Sequence, residues 1–242
     1  FLKESAHKSN SAETLIAASR TLCFYQPQSH IPIFIKCIRQ EDDRLRQLGF
    51  LGLGLSRDIS VLSHLRQGLA DTSTHVKRVV AQAMGEIGAT SCIDPLITAA
   101  ATGSAELRIA IADALKKFDG DSLDQELLKA STDHNPSVRK AASYLTAKNG
   151  RLKLCVMLLS DGDESVRKQA TLGLSDLHKF DPEGVLEAAC RALTDPSWKV
   201  RVAAVESLGR IGDRRAVGVL ERARDDDNHV VKQAIRRTLT KF

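Results

Sequence analysis

An aliphatic residue followed directly by a basic one recurs seven times along this chain of 242 residues. Successive pairs are 31 residues apart at four of the six steps, and 28 and 34 residues apart at the other two. A nearly constant period of this length indicates stacked supersecondary units that bury their apolar faces against one another. The pairs are Leu45-Arg46, Val76-Lys77, Leu107-Arg108, Val138-Arg139, Val166-Arg167, Val200-Arg201 and Val231-Lys232.

Each pair lies in an amphipathic helical pattern. Apolar or small residues follow the aliphatic anchor at the fourth and eighth positions, so all three share one helical face. An earlier apolar stretch predicts a first helix that precedes this second one. Gly88 and Gly212 follow the second helix directly and predict its end, because glycine readily adopts the left-handed conformation. First helices are predicted over residues 31–38, 61–69, 93–100, 123–128, 152–159, 185–193 and 217–223.

The fold predicted from this register is all-α. It is an α-solenoid, a right-handed superhelix of about eight antiparallel helical hairpins, forming a single repeat domain over residues 1–242. An aromatic content of only 4% fits a core of small aliphatic side chains. The chain begins at Phe1, within a repeat and without an initiator Met, so we expect it to be part of a longer protein. Second-helix anchors are predicted near residues 14, 45, 76, 107, 138, 166, 200 and 231.

Two segments carry a resemblance to a known family. Residues 195–212, from Asp195-Pro-Ser-Trp to Arg-Ile-Gly212, and residues 71–88, from Asp71-Thr-Ser-Thr to Glu-Ile-Gly88, resemble HEAT repeats. Within that family they are similar to the short bacterial repeats of roughly 30 residues seen in phycobilisome lyases. The resemblance implies the solenoid fold over nearly the whole chain. It leaves function open, because HEAT repeats occur in lyase subunits, scaffolds, regulators and nucleic-acid binders.

Composition and chemistry narrow the classes of function. The net charge of +5 favours an acidic partner only weakly. Five widely spaced cysteines predict free buried thiols in a reducing compartment, hence a cytoplasmic protein. None of the seven histidines is followed by Glu, unlike the pattern of the iron-dependent HEAT-like hydroxylases, and no phosphate-binding loop is present. We therefore predict no catalytic residue, no metal and no cofactor. The cysteines are Cys23, Cys37, Cys92, Cys155 and Cys190.

The seven basic residues after the anchors have two interpretations. They form either a positive stripe for phosphates or a structural ladder in which each cation bonds an Asp of its own or an adjacent turn. An Asp six residues before the basic residue in five repeats favours the ladder. Arg46 and Arg108 have no such Asp and are expected to be free. The ladder residues are Asp71, Lys77, Asp133, Arg139, Asp161, Arg167, Asp195, Arg201, Asp226 and Lys232.

The partner surface is predicted on the solvent face of the second helices, at the second, fifth and sixth positions after each anchor. Mixed apolar and charged residues there favour a protein or peptide partner, and the net charge allows that partner to be acidic. Phe50 and Tyr144 are the only aromatic residues in the row, which disfavours nucleic acid. The predicted partner-binding residues are Arg78, Gln82, Asp113, Lys140, Tyr144, Lys168, Glu206 and Arg237.

The leading functional hypothesis is a non-catalytic scaffold or regulatory module that binds a protein. Two alternatives stay open: a subunit that attaches a chromophore as the phycobilin lyases do, and a nucleic-acid-binding HEAT-like protein. Cys23, Cys37 or Tyr144 in an open cleft would favour the first alternative. The irregular steps of 28 and 34 residues around Val166 predict a local change of curvature between residues 140 and 200.

Overall fold

The structure, a computed structural model, describes residues 12–242, without the side chains of Ala12, Thr14 and Leu15. This range contains fifteen α-helices and no strand, which confirms the all-α prediction. The second helices are α1 (Ala12–Phe24), α3 (Asp43–Ser56), α5 (Thr74–Ile87), α7 (Ala105–Leu115), α9 (Pro136–Lys148), α11 (Glu164–Leu177), α13 (Trp198–Ile211) and α15 (His229–Leu239). The first helices are α2 (Ile31–Ile38), α4 (Leu62–Gly68), α6 (Ile93–Thr102), α8 (Gly120–Ser131), α10 (Leu152–Leu158), α12 (Pro182–Ala192) and α14 (Arg215–Arg222).

The helices group into two compact units, which within the described residues are 12–126 (unit 1) and 127–242 (unit 2). In unit 1 the second helices α1, α3, α5 and α7 pack against one another in succession, and α2, α4 and α6 each pack on the second helix that follows. In unit 2 the helices α9, α11, α13 and α15 pack in the same way, with α10, α12 and α14 beside them. Each unit is thus a stack of helical hairpins, as an α-solenoid requires. That residues 1–242 form a single domain stays a prediction.

The predicted apolar stripe forms the core of both units. Anchors such as Leu45, Val76 and Val166 are buried, and so are the residues four positions later, including Ile111 and Ala170. Small aliphatic side chains let neighbouring second helices approach closely. The anchor predicted at Thr14 lies outside the described side chains. Among residues 12–242 we find no helix with the length and apolar character needed to cross a bilayer.

The turns between the helices of a hairpin cap the second helix. Asp133 and Asp195 do not cap α9 and α13 themselves. Their carboxylates accept the backbone N–H groups of Asn135 (2.7 Å) and Ser197 (2.8 Å), and these two residues are the caps of α9 and α13. Such side-chain acceptors satisfy amides that the helix leaves free at its start. The predicted helix ends at Gly88 and Gly212 are confirmed, with φ of 68° and 70°.

The predicted exposure of the fifth position after each anchor is wrong in six of the seven repeats. A second helix is enclosed by a second helix on each side and by first helices behind it, so its buried arc is wider than one stripe. Phe50, for example, lies against Gly68 of the next first helix, α4. Only Arg236, in α15, is exposed at this position; the buried residues are Phe50, Ala81, Ala112, Ser143, Thr171 and Val205.

Glycines in α3 allow the closest helix contacts of unit 1. A Cβ placed on Gly54 would lie 2.5 Å from the Cβ and 2.6 Å from the Cα of Ala83 in α5. A Cβ on Gly52 would lie 2.4 Å from the Phe34 ring. These distances are shorter than carbon atoms tolerate, so the packing of α3 on its neighbours requires glycine.

The irregular steps around Val166 are taken up by the first helices. Helix α10 has seven residues and α12 has eleven, while the second helices α11 and α13 both have fourteen. The altered curvature between residues 140 and 200 stays a prediction.

Candidate functional site

In four repeats the arginine that follows the anchor lies at the start of the second helix and bonds the turns of two successive repeats. In Arg139, Nε and Nη2 donate to the two carboxylate oxygens of Asp161 at 2.7 and 2.9 Å. Its Nη1 donates to the backbone carbonyls of Asp133 (2.8 Å) and His134 (3.2 Å) in its own turn. The Asp161 carboxylate also accepts the N–H of Asp163 at 2.8 Å. One guanidinium therefore fastens its own turn to the next, through a bidentate pair that only arginine forms.

Three further arginines repeat this arrangement, and we call the four pairs the arginine ladder. Their N–O distances lie between 2.7 and 3.1 Å. The arginine side chains are 11–18% exposed and the aspartates 7–11%, so solvent screens the pairs poorly. The pairs are Arg46–Asp71, Arg139–Asp161, Arg167–Asp195 and Arg201–Asp226.

The ladder pairs each arginine with the adjacent turn, one of the two arrangements predicted. Each arginine bonds the Asp of the following repeat, and from its own turn it bonds only backbone carbonyls. Arg46 is therefore not free, because Asp71 of the next repeat supplies its carboxylate. Arg108 is half-buried and donates to the carbonyl of Gly103 at 3.1 Å. Within residues 12–242, Lys77 and Lys232 form no ion pair, although they occupy the equivalent positions.

The ladder makes stability depend on pH in acid. The hydrogen bond from Arg139 holds the pKa of Asp161 below its ordinary value. A carboxyl whose pKa is lower in the folded than in the unfolded state, where it is about 3.9, stabilises fully above that value. Its contribution is lost as the pH falls through the folded-state pKa.

We expect the difference in unfolding free energy between the unchanged protein and the Asp161→Asn variant to be largest at pH 6. It should shrink as the pH falls below about 4 towards 2.5, because the unfolded chain takes up a proton at Asp161 before the folded chain does. Urea unfolding followed by circular dichroism at pH 6, 4 and 2.5 measures this difference. A gap that stays constant over the range would contradict the assignment.

The predicted partner-binding residues lie where the helix register puts them. In unit 1, Arg78 is half-buried and Gln82 and Asp113 are exposed, with Asp113 paired to Lys116 at 2.7 Å. In unit 2, Tyr144 is half-buried, and the exposed members are Lys140, Lys168, Glu206 and Arg237. Their role in binding stays a prediction.

Equal positions on adjacent second helices are neighbours in space. Lys148 and Asp176, both ten residues after their anchors, form an ion pair of 3.1 Å between α9 and α11. The same alignment places Lys140 beside Lys168 and Tyr144 beside Leu172. We call these four residues the 140–172 face. Within the described chain, neither Lys140 nor Lys168 has an ion pair or a side-chain hydrogen bond, and both side chains are exposed.

The thiols give no open nucleophile. Cys23, Cys37, Cys92 and Cys155 are buried and unpaired, and Cys190 is half-buried, which confirms the predicted free thiols. Burial raises the pKa of Cys23 and of Cys155 to about 12. A thiol that stays protonated at neutral pH reacts slowly. In the part of the chain that the structure describes, no group of three His, Cys, Asp or Glu side chains is arranged to hold a metal ion.

A groove on unit 1 includes residues that the sequence register did not single out. It has a volume of about 400 Å³ and lies on α1, α3 and α5. Two of its residues, Leu48 and Val79, are three positions after an anchor, and two belong to α1, which lacks the aliphatic-basic pair. The two residues of α1 are the second and sixth positions after the anchor predicted near residue 14, a repeat to which the surface positions were not applied. The lining residues are Ile16, Arg20, Arg44, Gln47, Leu48, Leu51 and Val79.

Most of the sequence matches one known family. The sequence profile of the HEAT repeats matches residues 62–146 and 152–240, which is more than half of the chain. The chain belongs to the HEAT repeat family. No curated protein sequence matches this HEAT chain significantly.

Solved structures share the fold of this HEAT chain at low identity. The complex of CpcE and CpcF of phycocyanin lyase from Nostoc sp. PCC7120 matches with a TM-score of 0.51 and 21% identity, over 62% of this chain and 99% of that one. Importin beta matches with a TM-score of 0.62 and 11% identity, over 100% of this chain and 40% of that one. Kap95p, in a structure describing its binding to RanGDP, matches with a TM-score of 0.62 and 12% identity, over 99% of this chain and 40% of that one. Identities this low show the fold alone.

Proposed function

We propose that this HEAT chain is a protein-interaction module that binds an acidic partner on the exposed surface of its second helices. In unit 2 the contact is the 140–172 face. One observation carries the proposal: Lys140 and Lys168 form no ion pair among residues 12–242, whereas the arginines immediately before them each bond a carboxylate. Cations that stabilise the fold are compensated within it, and these two are left for a ligand.

The composition of the face supports a protein as the ligand. Tyr144 and Leu172 are half-buried and offer apolar area beside the two ammonium groups. Tyrosine combines a large apolar ring with a hydroxyl, and such residues often dominate the energy of protein interfaces. A partner segment that presents an apolar side chain flanked by Asp or Glu would be complementary to this face.

The other functions receive less support. A nucleic-acid track would need the basic row free to meet phosphates, but four of its arginines are engaged in the ladder. A subunit that attaches chromophores would be favoured by Cys23 or Cys37 in an open cleft, and both thiols are buried. HEAT-fold proteins named with a protein partner, CpcE with CpcF and Kap95p with RanGDP, are compatible with the proposal.

Site-specific photo-crosslinking tests the face directly. We expect p-benzoylphenylalanine at position 144 to form a discrete adduct in an extract of the source cells, and the same group at position 153 to form none. Excess unlabelled chain should compete the adduct away. As a competitor, the Lys140→Glu/Lys168→Glu variant should require at least about tenfold higher concentration to remove the adduct. This factor corresponds to a loss of about 1.4 kcal/mol in binding free energy.

The matched control reverses two exposed lysines of unit 2 that lie off the face, Lys153→Glu and Lys241→Glu. It has the same change in net charge and should compete as the unchanged protein does. Equal competition by both double variants, or no adduct at position 144, would rule out the 140–172 face as the binding surface.

A further inference from the structure

The groove on unit 1 leaves apolar surface open on three adjacent second helices. Ile16 of α1, Leu48 and Leu51 of α3 and Val79 of α5 are each only half-buried. They line a depression of about 400 Å³, which is within the range of ligand-binding clefts. Two or three aliphatic side chains would fill this volume and remove the four residues from water.

Apolar exposure continues along α1. Phe24 lies one helical turn beyond Arg20 on the same side of the helix, and it is 80% exposed. Tyr25, the next residue, is 64% exposed. Contiguous exposed apolar area of this kind usually marks a surface that another molecule covers.

The positive charges at the rim of the groove favour a partner that carries carboxylates. Arg20 is exposed, and its side chain has no ion pair or hydrogen bond with any residue from 12 to 242. Arg44 is 73% exposed, and its one ion pair within residues 12–242 is with Asp42, at 2.7 Å. No acidic side chain lines the groove. A ligand that combines carboxylates with aliphatic groups is therefore complementary to both the rim and the floor.

We propose that this groove binds an amphipathic helical segment of a partner protein, with aliphatic side chains at helical spacing and Asp or Glu beside them. Such a segment places side chains at positions i, i+3, i+4 and i+7 along one face, which matches a groove whose floor runs across parallel rows of side chains. The inference is separate from the 140–172 face, because the groove belongs to unit 1 and shares no residue with that face.

The geometry favours a peptide over the other ligands of similar chemistry. A single-stranded nucleic acid needs several cations along a track, and the lining supplies only two arginines, while the exposed rings of Phe24 and Tyr25 lie outside the lining. A lipid surface needs an extended apolar face with many cations around it. A concave floor of four aliphatic side chains with two cations at its edge has the size of one helical turn or two.

Selection from a random library tests the groove without knowledge of the partner. The full 242-residue chain is immobilised and probed with phage-displayed 16-residue peptides. We expect enriched sequences to carry aliphatic residues at helical spacing together with Asp or Glu. One enriched peptide, labelled with fluorescein, then gives dissociation constants by fluorescence anisotropy.

Exposed Arg20 can be reversed in charge without disturbing the core. The Arg20→Glu variant should bind the labelled peptide at least tenfold more weakly, and Leu51→Gln should also weaken binding at least tenfold. Arg39→Glu reverses another exposed arginine of unit 1 that does not line the groove, and it should bind as the unchanged protein does. Circular dichroism verifies that each variant is folded.

The Lys140→Glu/Lys168→Glu variant separates this inference from the proposed function. It should bind the selected peptide with unchanged affinity, whatever the outcome of the crosslinking at position 144. No enrichment, enrichment of basic peptides, or a peptide that binds Arg20→Glu and Arg39→Glu equally well would overturn the inference.

Discussion

Replacing Arg167 with alanine is expected to lower the unfolding free energy of unit 2 by about 3 kcal/mol, within the range seen when one partner of a buried ion pair is removed. The substitution leaves the Asp195 carboxylate, 8% exposed, without its bidentate donor. It also leaves the carbonyls of Asp161 and Gly162 without the guanidinium that bonds them at 2.9 and 3.3 Å. An uncompensated charge at this depth costs more than the ion pair itself contributes.

The next residue provides the control for this prediction. Lys168 is in the same helix and is exposed, with no ion pair among the described residues, so Lys168→Ala should change the unfolding free energy by less than about 0.5 kcal/mol. Urea unfolding followed by circular dichroism measures both variants. Because repeat arrays unfold in local steps, hydrogen exchange adds a regional readout. Amides of α11 and α13 should exchange faster in Arg167→Ala. Equal effects of the two substitutions would show that the ladder does not stabilise the turn.

Gly54→Ala and Gly218→Ala are expected to change stability in opposite directions. At Gly54 the new methyl group would overlap Ala83, whose Cα would lie 2.6 Å away, so α3 and α5 must move apart. Overpacking of this kind costs about 1–3 kcal/mol, and the better helix propensity of alanine offsets about 1 kcal/mol at most. We expect a net loss of about 2 kcal/mol. At Gly218, exposed in α14, the nearest atom is 3.9 Å away, and alanine should stabilise by about 0.5–1 kcal/mol.

Thermal and urea unfolding of the two glycine variants measure these effects. Both variants carry the same chemical change, the addition of one methyl group. A comparable gain in stability for both would mean that α3 and α5 adapt to the methyl group without loss. A loss at Gly218 would contradict the open surroundings of that residue.

The helix positions could be predicted because the spacing of the apolar residues marks the buried face of each helix. Val76, Val80 and Met84 occur at spacings of four, and the structure buries all three. The glycine ends at Gly88 and Gly212 follow from a backbone preference that depends only on local sequence. Both signals lie within one repeat, so no knowledge of the neighbours is required.

The errors occur where neighbouring repeats decide the outcome. Phe50 and Thr171 look like solvent-facing residues from the period of a single helix, yet adjacent helices cover them on a second side. Arg46 seems free when its own turn is searched for an Asp, although Asp71 of the next repeat is its partner. Searching 22 to 28 residues ahead for the carboxylate would have found the partner of every ladder arginine.

The contact distances of the arginine ladder stay constant although the number of residues between the partners varies. Its N–O contacts of 2.7–2.8 Å are the same whether 22, 25 or 28 residues separate Arg139, Arg201 or Arg167 from its aspartate. The first helices between these pairs differ in length, with seven residues in α10, eight in α14 and eleven in α12. The ladder contacts are thus compatible with first helices of different length, so the start of each second helix stays joined to the next turn in all four pairs.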